Sequence, residues 1–223
     1  MVDDYLSDRE QEEALRAWWR DNWRWILGGV VLGIALLFGY FRWQEYRENR
    51  GVAASKEFAA LSTAFEARNL EASQQALGDL VKDHNSSPYA QQGRLLVAKL
   101  NVDAGNYDDA VTLLREVIDN SKDDELASIA QLRLARVLIQ QGKQDEALAL
   151  LKVEDLGALA PTAREIRGDA YVAKGDANAA RGEYAAALAG DDAQIDRTVL
   201  ELKLQEVGGT AAATPGADAQ EQP

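Results

Sequence analysis

The sequence has no cysteine and a single histidine, and these two shortages remove much of the usual chemistry. Without cysteine there is no disulfide, no thiol nucleophile and no thiolate metal site. With His84 as the whole imidazole inventory, no mechanism that needs a histidine pair is open. Its setting in DHNSSP reads as a solvated loop beside a turn. Proline is scarce as well: it occurs at Pro88, Pro161 and two positions near the C-terminus, so it interrupts few helical runs. Positive charge is in deficit, with 24 Lys and Arg against 37 Asp and Glu. A surface of that sign repels phosphate backbones, which argues against nucleic acid as a partner. Also missing are a phosphate loop, zinc-ligand spacing, a nucleophile elbow and any histidine–carboxylate constellation. The acidic run Asp123, Asp124, Glu125 stands at a helix start, where carboxylates complement the dipole, and is read as a cap rather than a metal site. A non-enzymatic protein with no cofactor and no metal is expected.

What the sequence does have is one long apolar run. Ile26 to Phe41 reads ILGGVVLGIALLFGYF without a charged residue, bracketed by Arg24 and Arg42, with Trp23, Trp25, Tyr40 and Trp43 at its margins. A helix from Trp25 to Trp43 would rise about 28 Å, close to the hydrocarbon thickness of a bilayer. Its Leu, Ile, Val and Phe residues supply on the order of −3 to −6 kcal/mol toward insertion. The start is acidic and no small-residue cleavage site follows, so an uncleaved signal anchor in membrane lipid is expected. Gly29 and Gly33 form one small-xxx-small pair and Ala35 and Gly39 another, a face on which a second membrane helix can pack closely, although glycine is common in such helices anyway. The segment before the span carries a capping-box pattern, Ser7 with Glu10. Basic residues balance across the span, with Arg9, Arg16, Arg20 and Arg24 before it and Arg42, Arg47, Arg50 and Lys56 after it. Charge alone therefore leaves the orientation open.

Beyond the span the chain is Ala, Leu and charge, broken by turn signals such as AGNY, QQGKQ and AKGDA, which predicts an all-α domain. Gly105, Gly142 and Gly175 each end a helical run, at spacings of 37 and 33 residues. Five residues after each stands Ala110, Ala147 or Ala180, and seven before each stands Ala98, Ala135 or Gly168. Four beyond each alanine stands a large residue, Leu114, Leu151 or Tyr184. This register resembles the tetratricopeptide repeat, a helix–turn–helix unit of about 34 residues whose small positions let two helices cross closely. An earlier, weaker copy aligns on Ala60 and Ala72, and a last helix is expected over 193–207 with Ile195, Val199, Leu202 and Leu204 on its apolar side. The expected organisation is an N-terminal amphipathic segment (1–24), a single transmembrane helix (25–43), a tetratricopeptide-like α-solenoid (44–207) and a disordered tail (208–223).

By resemblance to such repeats, the first helix of each unit lines a concave groove. In this register that points Leu95, Lys99, Val102, Ile129, Leu132, Arg136, Ile139, Glu165, Asp169 and Val172 toward it. The mixture of aliphatic and charged groups suits a peptide or a partner helix, while several could equally be buried between helices. The order of parts, AWWRDNW, then WRWILGGVVLGIALLFGYFRWQEY, then repeats reading LRLARVLIQQGKQDEALALL and EIRGDAYVAKGDANAARGEYAAAL, resembles the YfgM family of ancillary SecYEG translocon subunits. That resemblance implies a type II inner-membrane protein with a periplasmic repeat domain, partnered by SecYEG and the anchored chaperone PpiD. It would assist exported polypeptides as they leave the channel. A membrane-anchored holdase and a scaffold for envelope or division machinery share the same architecture.

Overall fold

In the computed structural model the described residues are 8–190 and 195–209. The expected cap at Ser7 and most of the expected tail lie outside them. Within them all regular structure is helical: α1 (Asp8–Glu66), α2 (Leu70–His84), α3 (Pro88–Asp103), α4 (Tyr107–Asn120), α5 (Asp124–Gln140), α6 (Gln144–Leu150), α7 (Ala160–Ala173), α8 (Ala177–Leu188) and α9 (Arg197–Glu206). The chain divides into two units, one up to Ala53 and one from Ala54 onward. Of the first, α1 holds a stretch long and apolar enough to cross a membrane, with a mean hydropathy of 1.8 and none of its window buried. A core helix of a water-soluble domain would be largely covered, so lipid is the environment that satisfies these side chains.

In the second unit the helices pair in sequence. The last turns of α1 share an apolar cluster with α2 through Ala54, Leu61, Leu77 and Leu80. Then α3 pairs with α4, α5 with α6 and α7 with α8, while α2, α4 and α6 also pack on the first helix of the next pair. The turn within each pair explains the glycines. The amide of Asn106 bonds to the carbonyl of Asn101 (2.8 Å), that of Lys143 to Leu138 (2.8 Å) and that of Asp176 to Tyr171 (2.9 Å). This six-to-one closure needs a left-handed residue, and Gly105, Gly142 and Gly175 supply it at φ 79°, 76° and 79°.

The same closure joins Asn69 to Ala64 at 3.0 Å, but there the left-handed residue is Arg68 at φ 51°. That fixes the register of the first pair on Leu61 and Ser73, both fully buried, rather than on Ala60 and Ala72. The one-residue correction arises because the turn's marker is not a glycine. A left-handed L-residue costs about 1–2 kcal/mol, partly offset by the greater chain entropy of glycine when unfolded. Arg68→Gly is therefore expected to stabilise the protein by about 0.5–1 kcal/mol, read as a higher urea midpoint with an unchanged slope.

Three apolar clusters run along the stack. The central one joins Leu95, Leu114, Val117, Leu132, Leu138, Leu151 and Ile166. Covering each such side chain contributes about 1.5–3 kcal/mol. The small positions Ala98, Ala135 and Gly168 are buried with it, as are Leu114, Leu151 and Tyr184. α6 has only seven residues, and two 3₁₀ turns, Val153–Asp155 and Gly157–Leu159, carry the chain from it to α7.

Two expectations are corrected here. His84 is not a solvated loop residue: α2 runs two residues into the DHNSSP signal. The histidine closes that helix 9% exposed, its Nε2 3.9 Å from Glu57. The last helix begins at Arg197, where the Asp196 carboxylate accepts from the amides of Thr198 (3.0 Å) and Val199 (3.2 Å). Its buried ridge is Leu200 and Leu204, with Ile195 packed alongside, while Val199 and Leu202 are exposed. Of the expected stripe, Ile195 and Leu204 lie on the buried side, and Leu200 takes the place expected of Val199 and Leu202.

Candidate partner-binding groove

The first helices α3, α5 and α7, with α9 at the far end, frame three neighbouring recesses. One, of about 380 Å³, is lined by Leu95, Ala98, Lys99, Val102, Asp103, Leu114, Arg133, Arg136 and Val137. A second, of about 270 Å³, has Ile129, Leu132, Arg133, Arg136, Leu159, Thr162 and Glu165. The third, of about 570 Å³, has Val102, Tyr107, Arg136, Val137, Ile139, Gln140, Asp169 and Lys203. Arg136 borders all three.

Of the residues that the repeat register pointed inward, Leu95, Lys99 and Val102 meet Arg136 in the first recess, Ile129, Leu132 and Glu165 in the second, and Ile139 and Asp169 in the third. Val172 lines none of the three and is 47% exposed. Leu95 and Leu132 are buried at 6% and 5%, so they serve as wall rather than contact surface. Arg133 and Lys203 were not singled out from sequence, and Tyr184 was read as a packing position of the repeat rather than as a neighbour of the groove. Arg133 was legible in LRLAR as the residue one turn before Arg136. Lys203 was not, because it lies 34 residues from its partner.

At the α7 end the charges are paired. Lys203 Nζ donates to Glu165 at 2.7 Å and to both oxygens of Asp169 at 2.9 Å, and the Tyr184 hydroxyl donates to Asp169 at 2.7 Å. Lys203 also lies over the Tyr184 ring at 5.9 Å. Burial first, then the bond to Asp169, pushes the Tyr184 hydroxyl well above its ordinary 10.0. Burial pulls the Lys203 ammonium down from 10.5, but the bonds to Asp169 and Glu165 outweigh it and the net shift is upward.

Both groups are protonated in folded and unfolded chains below about pH 9, so their contribution is constant there. Above that, the unfolded chain releases protons that the folded chain retains, and stability falls as pH rises through the raised values. The thermal midpoint is therefore expected to decline above about pH 10, and Lys203→Met to flatten that decline. A midpoint falling equally steeply in the variant would refute the coupling.

In the first unit, a Cβ added at Gly29, Gly33 or Gly39 meets nothing within 4 Å among the described residues, so none of them covers that face of α1. Among the described residues no group of three or more His, Cys, Asp or Glu is placed to hold a metal.

Comparison with known proteins matches residues 16–209 to the family described as tetratricopeptide repeat-like domain. The chain belongs to that family. Proteins named "Ancillary SecYEG translocon subunit" resemble it along almost their whole length. The one from Neisseria gonorrhoeae is 29% identical over 209 residues, covering 91% of this chain and 98% of the relative. That from Aggregatibacter actinomycetemcomitans is 28% identical over 204 residues, covering 91% and 97%. That from Escherichia coli K12 is 25% identical over 203 residues, covering 91% and 98%. The tetratricopeptide repeat-like match begins at Arg16, ahead of the apolar span, so likeness to this family is not confined to the solenoid.

Proposed function

We propose that the protein is a membrane-anchored, non-enzymatic ancillary subunit of the SecYEG translocon. The observation that carries this reading is the end-to-end likeness to relatives of that name, 91% of this chain against 97–98% of theirs, which takes in span and repeats together. The anchor holds the repeat unit at the inner membrane, on the periplasmic side, through the open Gly29, Gly33, Ala35 and Gly39 face packed on a translocon helix. The groove formed by α3, α5 and α7 holds a partner, the chaperone PpiD or an emerging chain, and the protein works by keeping that partner beside the channel exit.

A general holdase that grips unfolded clients over a broad apolar surface is disfavoured by how little such surface the repeat unit exposes, which leaves a partner or emerging chain to be held in the groove. Apart from those in the N-terminal unit, the exposed large hydrophobic residues among the described ones are Val172, Val199 and Leu202. The test is purification of the full-length chain from inner membranes in mild detergent. Enrichment of SecY, SecE or SecG with PpiD is expected. Recovery of division proteins in their place overturns the reading.

A further inference from the structure

We propose that the groove over α5 is a docking site for an acidic-aliphatic segment of a partner polypeptide. Arg133 and Arg136 would hold its carboxylate, and the recesses on either side would take its aliphatic neighbours. The inference rests on the groove being the partner surface and adds which chemistry it selects.

The first argument is charge accounting. Elsewhere in the repeat unit the basic groups along these helices are engaged. Arg94 bonds to Glu116 at 2.7 Å, Arg167 to Glu183 at 2.8 Å and Lys203 to Asp169 and Glu165, while Lys99 pairs with Asp103 at 3.6 Å. Arg133 and Arg136 have no hydrogen bond or ion pair among the described residues, although the chain carries 37 acidic side chains and a net charge of −13. On α3, α5, α7 and α9 these two guanidinium groups are the basic side chains without a direct partner among the described residues, although Asp103 and Glu165 line the same recesses.

The second argument is their mutual placement. Three residues apart on α5, they share a helix face, with Cβ atoms about 5–6 Å apart. Burial, and then the charge of Arg136, lower the Arg133 pKa, the direction expected where like charges face each other without a counter-ion. A carboxylate set between the two forks relieves that repulsion and gains charge-assisted, bidentate hydrogen bonds.

The third is the apolar ground beside the charges. Both arginines line the recess walled by Leu95, Val102 and Val137, and both line the one walled by Ile129, Leu132 and Leu159. A free inorganic anion leaves those walls uncovered. A peptide carrying Leu or Ile beside Asp or Glu covers both, and its charge gives orientation and selectivity against basic segments.

The probe is a pair of end-blocked, dye-labelled peptides, GSLVDEILSG and its amide twin GSLVNQILSG. Each is titrated by fluorescence anisotropy into the full-length chain in a non-ionic detergent. The acidic peptide is expected to bind at least about tenfold tighter than its twin, with the difference shrinking as salt rises. The variant R133Q/R136Q should bring the two peptides to equal affinity while its helical signal and melting stay unchanged. K122Q, which alters an exposed lysine at the turn before α5, should leave the preference intact. Equal binding of the twins, no binding of either, or a preference that survives R133Q/R136Q overturns the proposal. So does arginine-dependent binding of short-chain phosphatidylglycerol without any peptide preference, which would assign the pair to lipid. Co-purification of Sec subunits with the wild-type chain is scored separately. If it persists while the peptides fail, the groove chemistry is wrong; if it is lost, the translocon reading falls as well.

Discussion

Gly168→Ala is expected to destabilise the repeat unit by about 1–3 kcal/mol, more than an added methyl group usually costs, because the space is already taken. A Cβ at this position would lie 2.3 Å from Cε1 and 2.5 Å from Cδ1 of Tyr184. The ring cannot easily step aside: its hydroxyl is tied to Asp169 at 2.7 Å and Lys203 lies over its face. Gly168 is on α7 and Tyr184 on α8, so the methyl group pries apart a helix pair whose close crossing depends on a missing side chain.

The preceding units solve the same contact differently, with Ala98 and Leu114 in one and Ala135 and Leu151 in the next, all buried to 2% or less. That comparison supplies the rescue. Tyr184→Leu alone should cost on the order of 2 kcal/mol through lost ring contacts and the lost bond to Asp169. The double variant G168A/Y184L rebuilds the alanine–leucine pairing and should lose less than the two single losses combined, by about 0.5–3 kcal/mol. Urea unfolding of the four proteins measures this. Strict additivity would show that the two positions do not share the space described.

The same comparison shows why some of this molecule is legible from its letters and some is not. A left-handed turn residue is announced by glycine, and the small positions recur in phase with it, so three helix pairs could be placed from Gly105, Gly142 and Gly175 alone. The first pair uses the same turn with Arg68, a residue that carries no such announcement, and its register slipped by one. At α9, Ile195 and Leu204 lie where the pattern placed them, whereas Leu200 is buried in place of Val199 and Leu202, which are as apolar, so only the surface offered by α8 chooses between them. His84 was misplaced because polar letters around it looked like loop, whereas Asn85 spends its side-chain and backbone oxygens accepting from Arg94 and Gln91.

The inward-pointing positions were expected from the resemblance to tetratricopeptide repeats, and all of them but Val172 line one of the three recesses. Their electrostatics did not follow from it: whether a charge on α7 is free depends on a lysine two helices later, and local pattern carries no information about that pairing. The absence of a partner for Arg133 and Arg136 is likewise a property of the assembled stack.

Placing arginine at both Leu32 and Leu36 is expected to convert the protein from integral to extractable. The two positions lie one helical turn apart near the middle of the span, and both side chains are exposed, at 61% and 66%, so neither has a protein partner to shield a charge. Each arginine at a bilayer centre costs about 2.5–3.5 kcal/mol on the insertion scale and forfeits the gain of the leucine it replaces, so the pair opposes insertion by about 6–8 kcal/mol. That exceeds the roughly −3 to −6 kcal/mol the apolar residues provide, and the sign reverses. One substitution alone would leave the balance near zero, since an arginine one or two turns from an interface can reach it with its long side chain.

The repeat unit keeps its own apolar clusters from Ala54 onward, so its helical signal and thermal midpoint should be unaffected. With folding held constant, loss of co-purifying translocon subunits in L32R/L36R would trace their association to the anchor. Under the proposed function the groove, deprived of the high local concentration that a shared membrane supplies, would then bind its partner only at its intrinsic affinity. Carbonate washing of vesicles decides the first step. If the double variant stays in the pellet, the span is held by something other than the hydrocarbon core.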